Sequence, residues 1–422
     1  MQLKLTLHIA VATSTFAAGL AWAPSTHTAR LVHRQKSVRI SAAASGSMVG
    51  SAAFASACLL EEQGFVPEAV LAFKALALEA AVGVGGVPAP NSERAYIELR
   101  RAHLAADGLA LLSVSAAHLR AALDLDPGAA AAALDRLGCT LQTDAGNLPA
   151  ATDYFALAAA TPSGKTDPEV RFHQAVVADL SDVGFGDFSG LSAAAVESWR
   201  YAQAHFPGLQ GSSGRGLYNG TRAVLASAVA QAGPLLAGDQ PTMVLEFGVS
   251  FGKSLRMLAE LVAEGRSSTN SPVTVAGFDT FTGLPEAWGD EPAGTYSTGG
   301  RLPPMPAGVK LVQGLFSDTL GPFLQKQRQR HGESAGPVLA LANIDCDLYS
   351  ATVDIMNALG CAGVVVPGSV LVFDEYFMYA GWQNDEYRAF QEACSEFGWK
   401  YTYIAWSLSS KQVAVQITAV KN

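Results

Sequence analysis

The sequence predicts an α/β chain in which an all-helical N-terminal region precedes a parallel sheet covered by helices on both faces. Two observations carry this. Residues from about 52 to 200 are rich in Ala and Leu with almost no β-branched runs, which reads as helix. From about 217 the texture changes to short apolar strands alternating with helical stretches, the pattern of a parallel sheet. At 422 residues, 49% hydrophobic and 15% charged, the chain is long enough for two domains with sizeable cores.

The first element is an address. Lys4 precedes an apolar stretch from Leu5 to Ala21, and "GLAWAPS" places small residues around a cut after Ala21, predicting a signal peptide over 1–21. Residues 22–48 are rich in Ser, Thr, Arg and Ala and hold no acids, the composition of a transit peptide. The pair resembles the two-part plastid leaders of algae with secondary plastids, with Trp22 as the aromatic residue after the cut. The expected location is the plastid; secretion or an endomembrane lumen is the alternative.

The first 60 residues carry five of the 28 basic residues and none of the 37 acidic ones, leaving 23 against 37, a net of −14 for the rest. Such an acidic body with no basic run speaks against nucleic acid and anionic membranes as partners. Beyond the leader no run of ~18 apolar residues occurs, so no membrane span is expected in the mature chain. The five cysteines (58, 139, 346, 361, 394) form no CxxC pair and have no His at zinc spacing; they read as free thiols.

The helical region, 52–204, contains a repeat. "AALDLDPG" closes one unit at Pro127, and "AALDRLGCTLQTDAGNLPAATDYFALAAATP" closes the next at Pro162. Its order of Leu137-Gly138, Gly146, Ala150, Tyr154 and a closing Pro matches the tetratricopeptide pattern of two antiparallel helices per ~34 residues. "EEQGFVPEAVLAFKALALEA" (61–80) is a degenerate first unit. Such units stack because one alone cannot bury its apolar face. "GVGGVPAPNS" (83–92) is a loop, and "HFPGLQGSSGRG" (205–216) is the linker to a second domain, 217–422.

Seven strands follow: "TMVLEFG" (242–248), "VTVAGFD" (273–279), "VKLVQG" (309–314), "VLALANID" (338–345), "SVLVFDE" (369–375), "YTYIAW" (401–406) and "QVAVQI" (412–417). The first ends in "VLEFGVSFGKS", a strand, glycine turn and helix start. Gly248 and Gly252 let the backbone bend and approach a ligand at a helix N-terminus. Glu246 beside them suits a ligand with positive charge or amino groups. Asp279 ends the second strand, where a carboxylate is suited to two ribose hydroxyls; this fits a dinucleotide or S-adenosylmethionine alike. The fourth strand delivers Asp345 and Asp347, the fifth Asp374 and Glu375. Neighbouring strand ends gather these acids, and like charges that close call for a cation, with magnesium favoured by oxygen-only ligands. After the linker the only His is His331, so a Ser-His-Asp hydrolase or a His-rich zinc site finds no support. Loops as long as the Gly/Pro-rich stretch from Pro285 to Pro306 are often lids, and Trp288 and Tyr296 either cover a ligand or pin the loop to the core.

Six segments, "EFGVSFGKS", "GFDTFTGLPEAW", "GTYSTGGRLP", "GLFSDTL", "IDCDLYSAT" and "VFDEYF", together resemble class I S-adenosylmethionine-dependent methyltransferases, in particular the macrocin O-methyltransferase-like (TylF-type) group. The resemblance covers the C-terminal ~200 residues in family order and leaves the helical region outside. It implies a Rossmann-like seven-stranded methyltransferase sheet with an antiparallel strand in its last hairpin. It also implies that S-adenosyl-L-methionine is held by Glu246, Gly248, Ser250, Gly252, Asp279, Thr280, Phe281, Gly314 and Phe316. Mg2+ would be held by Asp345, Asp374 and Glu375, with Asp345 or Asp347 taking the proton from a hydroxylated small-molecule acceptor (sugar, glycoside or polyketide-like). Ser250 stands where a middle Gly is usual, and Glu375 where the pattern often has Asp. The helical repeats are expected to bind a protein partner or to self-associate. Two other functions stay open: a nicotinamide-dependent oxidoreductase, and a partner-binding protein with a degenerate methyltransferase-like domain.

Overall fold

The computed structural model describes residues 51–62, 65–82, 88–105, 112–126, 130–145, 148–180, 186–206, 220–265, 271–331, 336–408 and 410–421. The expected signal peptide and transit segment, and most of the expected linker, lie outside these residues. No helix among the described residues is long and apolar enough to cross a membrane.

Helices α1 (Ala52–Glu62), α2 (Val66–Val82), α3 (Asn91–His103), α4 (Leu112–Leu125), α5 (Ala130–Ala145), α6 (Leu148–Ala160), α7 (Pro168–Leu180) and α8 (Ala193–His205) fill the region where repeats are expected. Proline sets two of their ends. The α4 helix stops at Leu125 ahead of Pro127, and α6 at Ala160 ahead of Pro162, because proline pushes the residue before it out of helical backbone. The α5–α6 pair closes over a glycine: a side chain at Gly138 would come within 2.7 Å of the Phe155 ring.

After α9 (Thr221–Leu236) come β1 (Thr242–Phe247), α10 (Lys253–Gly265), β2 (Val273–Asp279), β3 (Lys310–Gln313), α11 (Phe316–His331), β4 (Val338–Ile344), α12 (Tyr349–Cys361), β5 (Val370–Phe373), α13 (Glu386–Phe397), β6 (Lys400–Trp406) and β7 (Val413–Ala419). All seven expected strands form, in the order β3-β2-β1-β4-β5-β7-β6. The first five are parallel neighbours, whereas β7 runs antiparallel to both β5 and β6. This is the seven-stranded, Rossmann-like α/β architecture that the C-terminal motifs imply.

Strand side chains alternate between two apolar layers, as the pleat requires. Met243, Leu245, Phe247, Leu371, Phe373, Val413 and Val415 join one layer with α11, α12 and α13. Phe155 of α6, Phe172 of α7 and Trp199 of α8 belong to that same layer. Val244, Val370, Val372 and Ala414 join the other with α9 and α10, and it continues into Phe54, Phe73 and Ile97 of α1–α3. The helical region therefore contributes core to both faces of the sheet. Burying one large apolar side chain of this kind contributes about 1.5–3 kcal/mol, so these layers stabilise both halves of the chain.

Candidate functional site

The site lies where three parallel strands end. Gly248, Asp345 and Asp374 are each the first residue past β1, β4 and β5. Each amide donates to the adjacent strand: Gly248 to Phe278 O (2.9 Å), Asp345 to Phe247 O (2.8 Å) and Asp374 to Ile344 O (2.9 Å). Neighbouring strands sit about 4.8 Å apart, so these bonds set the glycine turn and both acids side by side at one edge. Gly248 has φ +90°, and a Cβ there would stand 1.7 Å from the Asp345 carbonyl oxygen. Only glycine allows the two loops to meet.

Glu246, fully buried on β1, accepts from Ser254 Oγ (3.1 Å) and Asn343 Nδ2 (3.1 Å). Burial pushes its carboxyl up to about 8; these two donors pull it down in part, and Asp374 pushes it up further. Ser250 sits in left-handed backbone, φ +49°, and Gly252 at φ +80°. Asp279 Oδ2 accepts from the amides of Val249 (2.8 Å) and Ser250 (2.7 Å), while Oδ1 accepts from Phe281 N (2.6 Å). The carboxylate expected to face ribose thus also clamps the glycine loop to the end of β2.

The remaining sequence-predicted cofactor residues take scaffold positions. Thr280 Oγ1 donates to Gly283 O (3.0 Å). Phe281, buried at φ +59°, packs with Val249 and Leu255, and its carbonyl accepts from Thr298 and Gly300 amides. Gly314, at φ +140°, donates its amide to Asp279 O (3.0 Å). The Phe316 ring packs edge-on against Phe247 at 5.5 Å.

The long stretch expected as a lid runs across this floor. Met305 lies against Gly252, where an added Cβ would meet its Cε at 2.1 Å. Arg256 of α10 donates to Pro304 O and stacks over Phe65, which connects α1 to α2, at 4.3 Å. Trp288 Nε1 donates to Asp385 Oδ2 (3.3 Å), tying the strap to the loop beyond β5. Tyr296, at φ +68°, is partly buried.

The acids form one electrostatic group. Burial holds Asp345 well above the usual carboxylate range, and Asp374, Asp347, Glu246 and Glu386 add to the push. Asp347 occupies left-handed backbone (φ +63°) at the centre of a three-residue turn, with Leu348 N donating to Cys346 O (2.6 Å). Such a conformation costs about 1–3 kcal/mol for a residue other than Gly, and strain of this kind concentrates at functional sites. Asp374 Oδ1 accepts from Gln412 Nε2. Glu375 takes a different partner from the expected cation: both its oxygens meet Lys411 Nζ, at 2.9 and 3.2 Å. The donor atoms of Asp345, Asp374 and Glu375 do not converge as a trio within 4.8 Å. Asp345 and Asp374, on adjacent strand ends, have the oxygen chemistry and like-charge need that suit a hard divalent cation, which commonly uses only one or two carboxylates. Glu375, as placed, suits it less.

Sequence reading missed three participants. Glu386 is fully buried at the start of α13; its Oε2 accepts from Glu375 N (3.2 Å), while Oε1 has no hydrogen-bond partner. In the sequence it looks like an ordinary acid in a helix's first turn. Lys411 and Gln412 reach the acids from the β6–β7 connection, and no local signal ties them to residues nearly forty positions earlier.

No protein-family model matches the chain, and no curated protein matches it. Among solved structures, the chain is similar to apo CalS11, a TDP-rhamnose 3′-O-methyltransferase and an enzyme in calicheamicin biosynthesis. That similarity has 18% identity and a TM-score of 0.32 over 61% of this chain and 95% of that one. It is similar also to the O-methyltransferase NovP, with 19% identity and a TM-score of 0.33 over 51% of this chain and 88% of that one.

Proposed function

We propose that the chain is an S-adenosylmethionine-dependent, magnesium-assisted O-methyltransferase acting on a hydroxyl of a small molecule of sugar, glycoside or polyketide type. The observation that carries this reading is the alignment of Gly248, Asp345 and Asp374 past three neighbouring strands. It sets backbone open to a ligand's approach beside acids suited to a cation and a proton.

When bound, S-adenosylmethionine supplies an activated methyl group and magnesium lowers the pKa of a hydroxyl held against it. The turn from Gly248 to Gly252 would face the cofactor's methionine end, and Glu246 would answer its amino group. Asp279 keeps lone pairs beyond its three amide bonds for ribose hydroxyls. Asp345 and Asp374 would hold the cation, and Glu375, now paired with Lys411, would be the third ligand. Asp347, or Asp345 itself, takes the hydroxyl proton.

The helices of 52–204, read as tetratricopeptide-like repeats, offer a surface for a protein partner or for self-association. Leu71, Leu78 and Val82 of α2 are 66%, 62% and 67% exposed and support this. The leader directs the chain to the plastid on the same reading.

Calorimetric titration with S-adenosylmethionine tests the core of it. Binding is expected, and its absence overturns the methyltransferase reading. Methyl transfer that stops in EDTA and returns with magnesium is expected; transfer surviving both EDTA and Asp374→Ala removes the metal alone.

A further inference from the structure

A second cluster of chemically capable side chains lies within the helical region. Asp135 and Cys139 sit one turn apart on α5, and four-residue spacing puts them on one face. His173 faces them from α7. The Asp135 and His173 side chains are 8% and 6% exposed. His173 Nδ1 lies 3.0 and 2.9 Å from the two Asp135 oxygens and 3.8 Å from Cys139 Sγ. The rings of Phe155 and Phe172 stand 5.6 and 6.2 Å from the imidazole.

The convergence on one ring nitrogen is the informative feature. In a Cys-His-Asp nucleophile the thiol and the acid take opposite nitrogens of the imidazole, so that one orients while the other transfers a proton. Here both use Nδ1, which excludes that relay. Burial also pushes the Cys139 thiol up to about 11, out of the nucleophilic range. A bare ion pair needs one acceptor for the Nδ1 proton, whereas three donor groups crowd the same point. All three donor atoms lie within 4.8 Å of one another, and no other trio of His, Cys, Asp and Glu among the described residues does. A tetrahedral ion with bonds of about 2.3 Å to sulfur and about 2.0 Å to nitrogen holds its donors about 3.5 Å apart. The observed spacings bracket that value.

We propose that Asp135, Cys139 and His173 bind a divalent transition metal of the zinc class, as a structural clasp between α5 and α7. A thiolate, an imidazole and a carboxylate form the mixed set that zinc accepts, and hard cations such as magnesium or calcium do not take sulfur. Binding forms metal–sulfur, metal–nitrogen and metal–oxygen bonds and releases the Cys139 thiol proton and any Nδ1 proton to solvent; no redox change occurs. The clasp would brace α5 and α7 around Phe155, whose ring is part of the sheet's apolar layer. Sequence reading found no zinc spacing because the His stands 34 positions from the Cys, on another helix. This inference does not depend on the proposed methyl transfer.

The test uses the full chain, purified without chelator and dialysed, with metal measured by plasma mass spectrometry. About one equivalent of zinc is expected in the wild type and in Asp374→Asn, which alters the other acid cluster only. His173→Ala and Cys139→Ser should lose most of it. The cobalt-substituted wild type should show a thiolate-to-metal charge-transfer band that Cys139→Ser lacks; this comparison serves even where His173→Ala fails to fold. Zinc retention unchanged in both clasp variants overturns the proposal. So does a chain that takes up neither zinc nor cobalt and shows His173 as an imidazolium by NMR.

Discussion

Ser198 Oγ, on helix α8, accepts the backbone amide of Met378 at 2.9 Å, across 180 positions of sequence. Beside it the phenol oxygens of Tyr201 and Tyr403 are 2.5 Å apart, and those of Tyr376 and Tyr403 2.9 Å. Tyr376 is the next residue after Glu375, and Met378 stands two further on. The last helix before the linker therefore holds the segment that carries two of the candidate metal ligands.

Removing that hold should act on the site. Ser198→Ala and Tyr201→Phe are each expected to cost about 1 kcal/mol in urea unfolding, the worth of one hydrogen bond. The double variant should also weaken magnesium dependence of turnover while S-adenosylmethionine affinity stays near wild type. Calorimetry and a magnesium titration of activity separate the two.

The two glycines of the turn should respond differently. Gly248→Ala drives a methyl into the Asp345 carbonyl at a left-handed φ, a backbone clash with nowhere to relax, and should cost about 3 kcal/mol or more. Gly252→Ala meets the end of the flexible Met305 side chain. It should fold with a milder loss and show its main effect on cofactor affinity. Thermal melts beside binding isotherms read out the contrast.

Asp345→Asn should separate stability from function. The residue is crowded by acids that raise its proton affinity, so a neutral isostere should leave the melting midpoint equal or higher. Turnover should fall by about 100-fold or more. A lower midpoint with unchanged turnover would contradict the assigned role.

Glu246 predicts a pH slope. Its folded pKa, about 8, lies above the ordinary 4.5, so the folded state binds this proton more tightly than the unfolded one. That contribution is full below pH 4.5 and is lost as pH rises through about 8. The ligand-free protein should lose on the order of 1 kcal/mol per pH unit across this window. Glu246→Gln should flatten the slope, measured by urea unfolding at several pH values.

Much of this was legible in one sequence because the fold makes it local. Four of the strands carry a candidate residue at or next to their C-terminal ends, so "VLEFG", "VAGFD", "NIDCD" and "VFDE" name the candidate site once a parallel sheet is assumed. The partners that qualify those residues were not legible. Lys411 answers Glu375 across 36 positions and Gln412 answers Asp374 across 38, pairings that depend on where the final hairpin lands. The three amides that Asp279 accepts are a property of backbone direction, which composition does not carry. Likewise the helices of the N-terminal region were readable, but their packing against both faces of the sheet was not, since an Ala-rich face looks alike whether it meets a repeat or a strand.

Among the described residues, strand β7, residues 413–419, comes last in sequence among the strands, yet it lies inside the sheet between β5 and β6. During synthesis Phe155, Phe172 and Trp199 emerge about 210–260 residues before it, at about 5–20 residues per second a wait on the order of 10–50 s. Through that interval the layer they belong to lacks Val413, Val415 and Ile417. Folding yield should hang on strand β7 and on whatever chaperone shelters the early helices until that strand arrives.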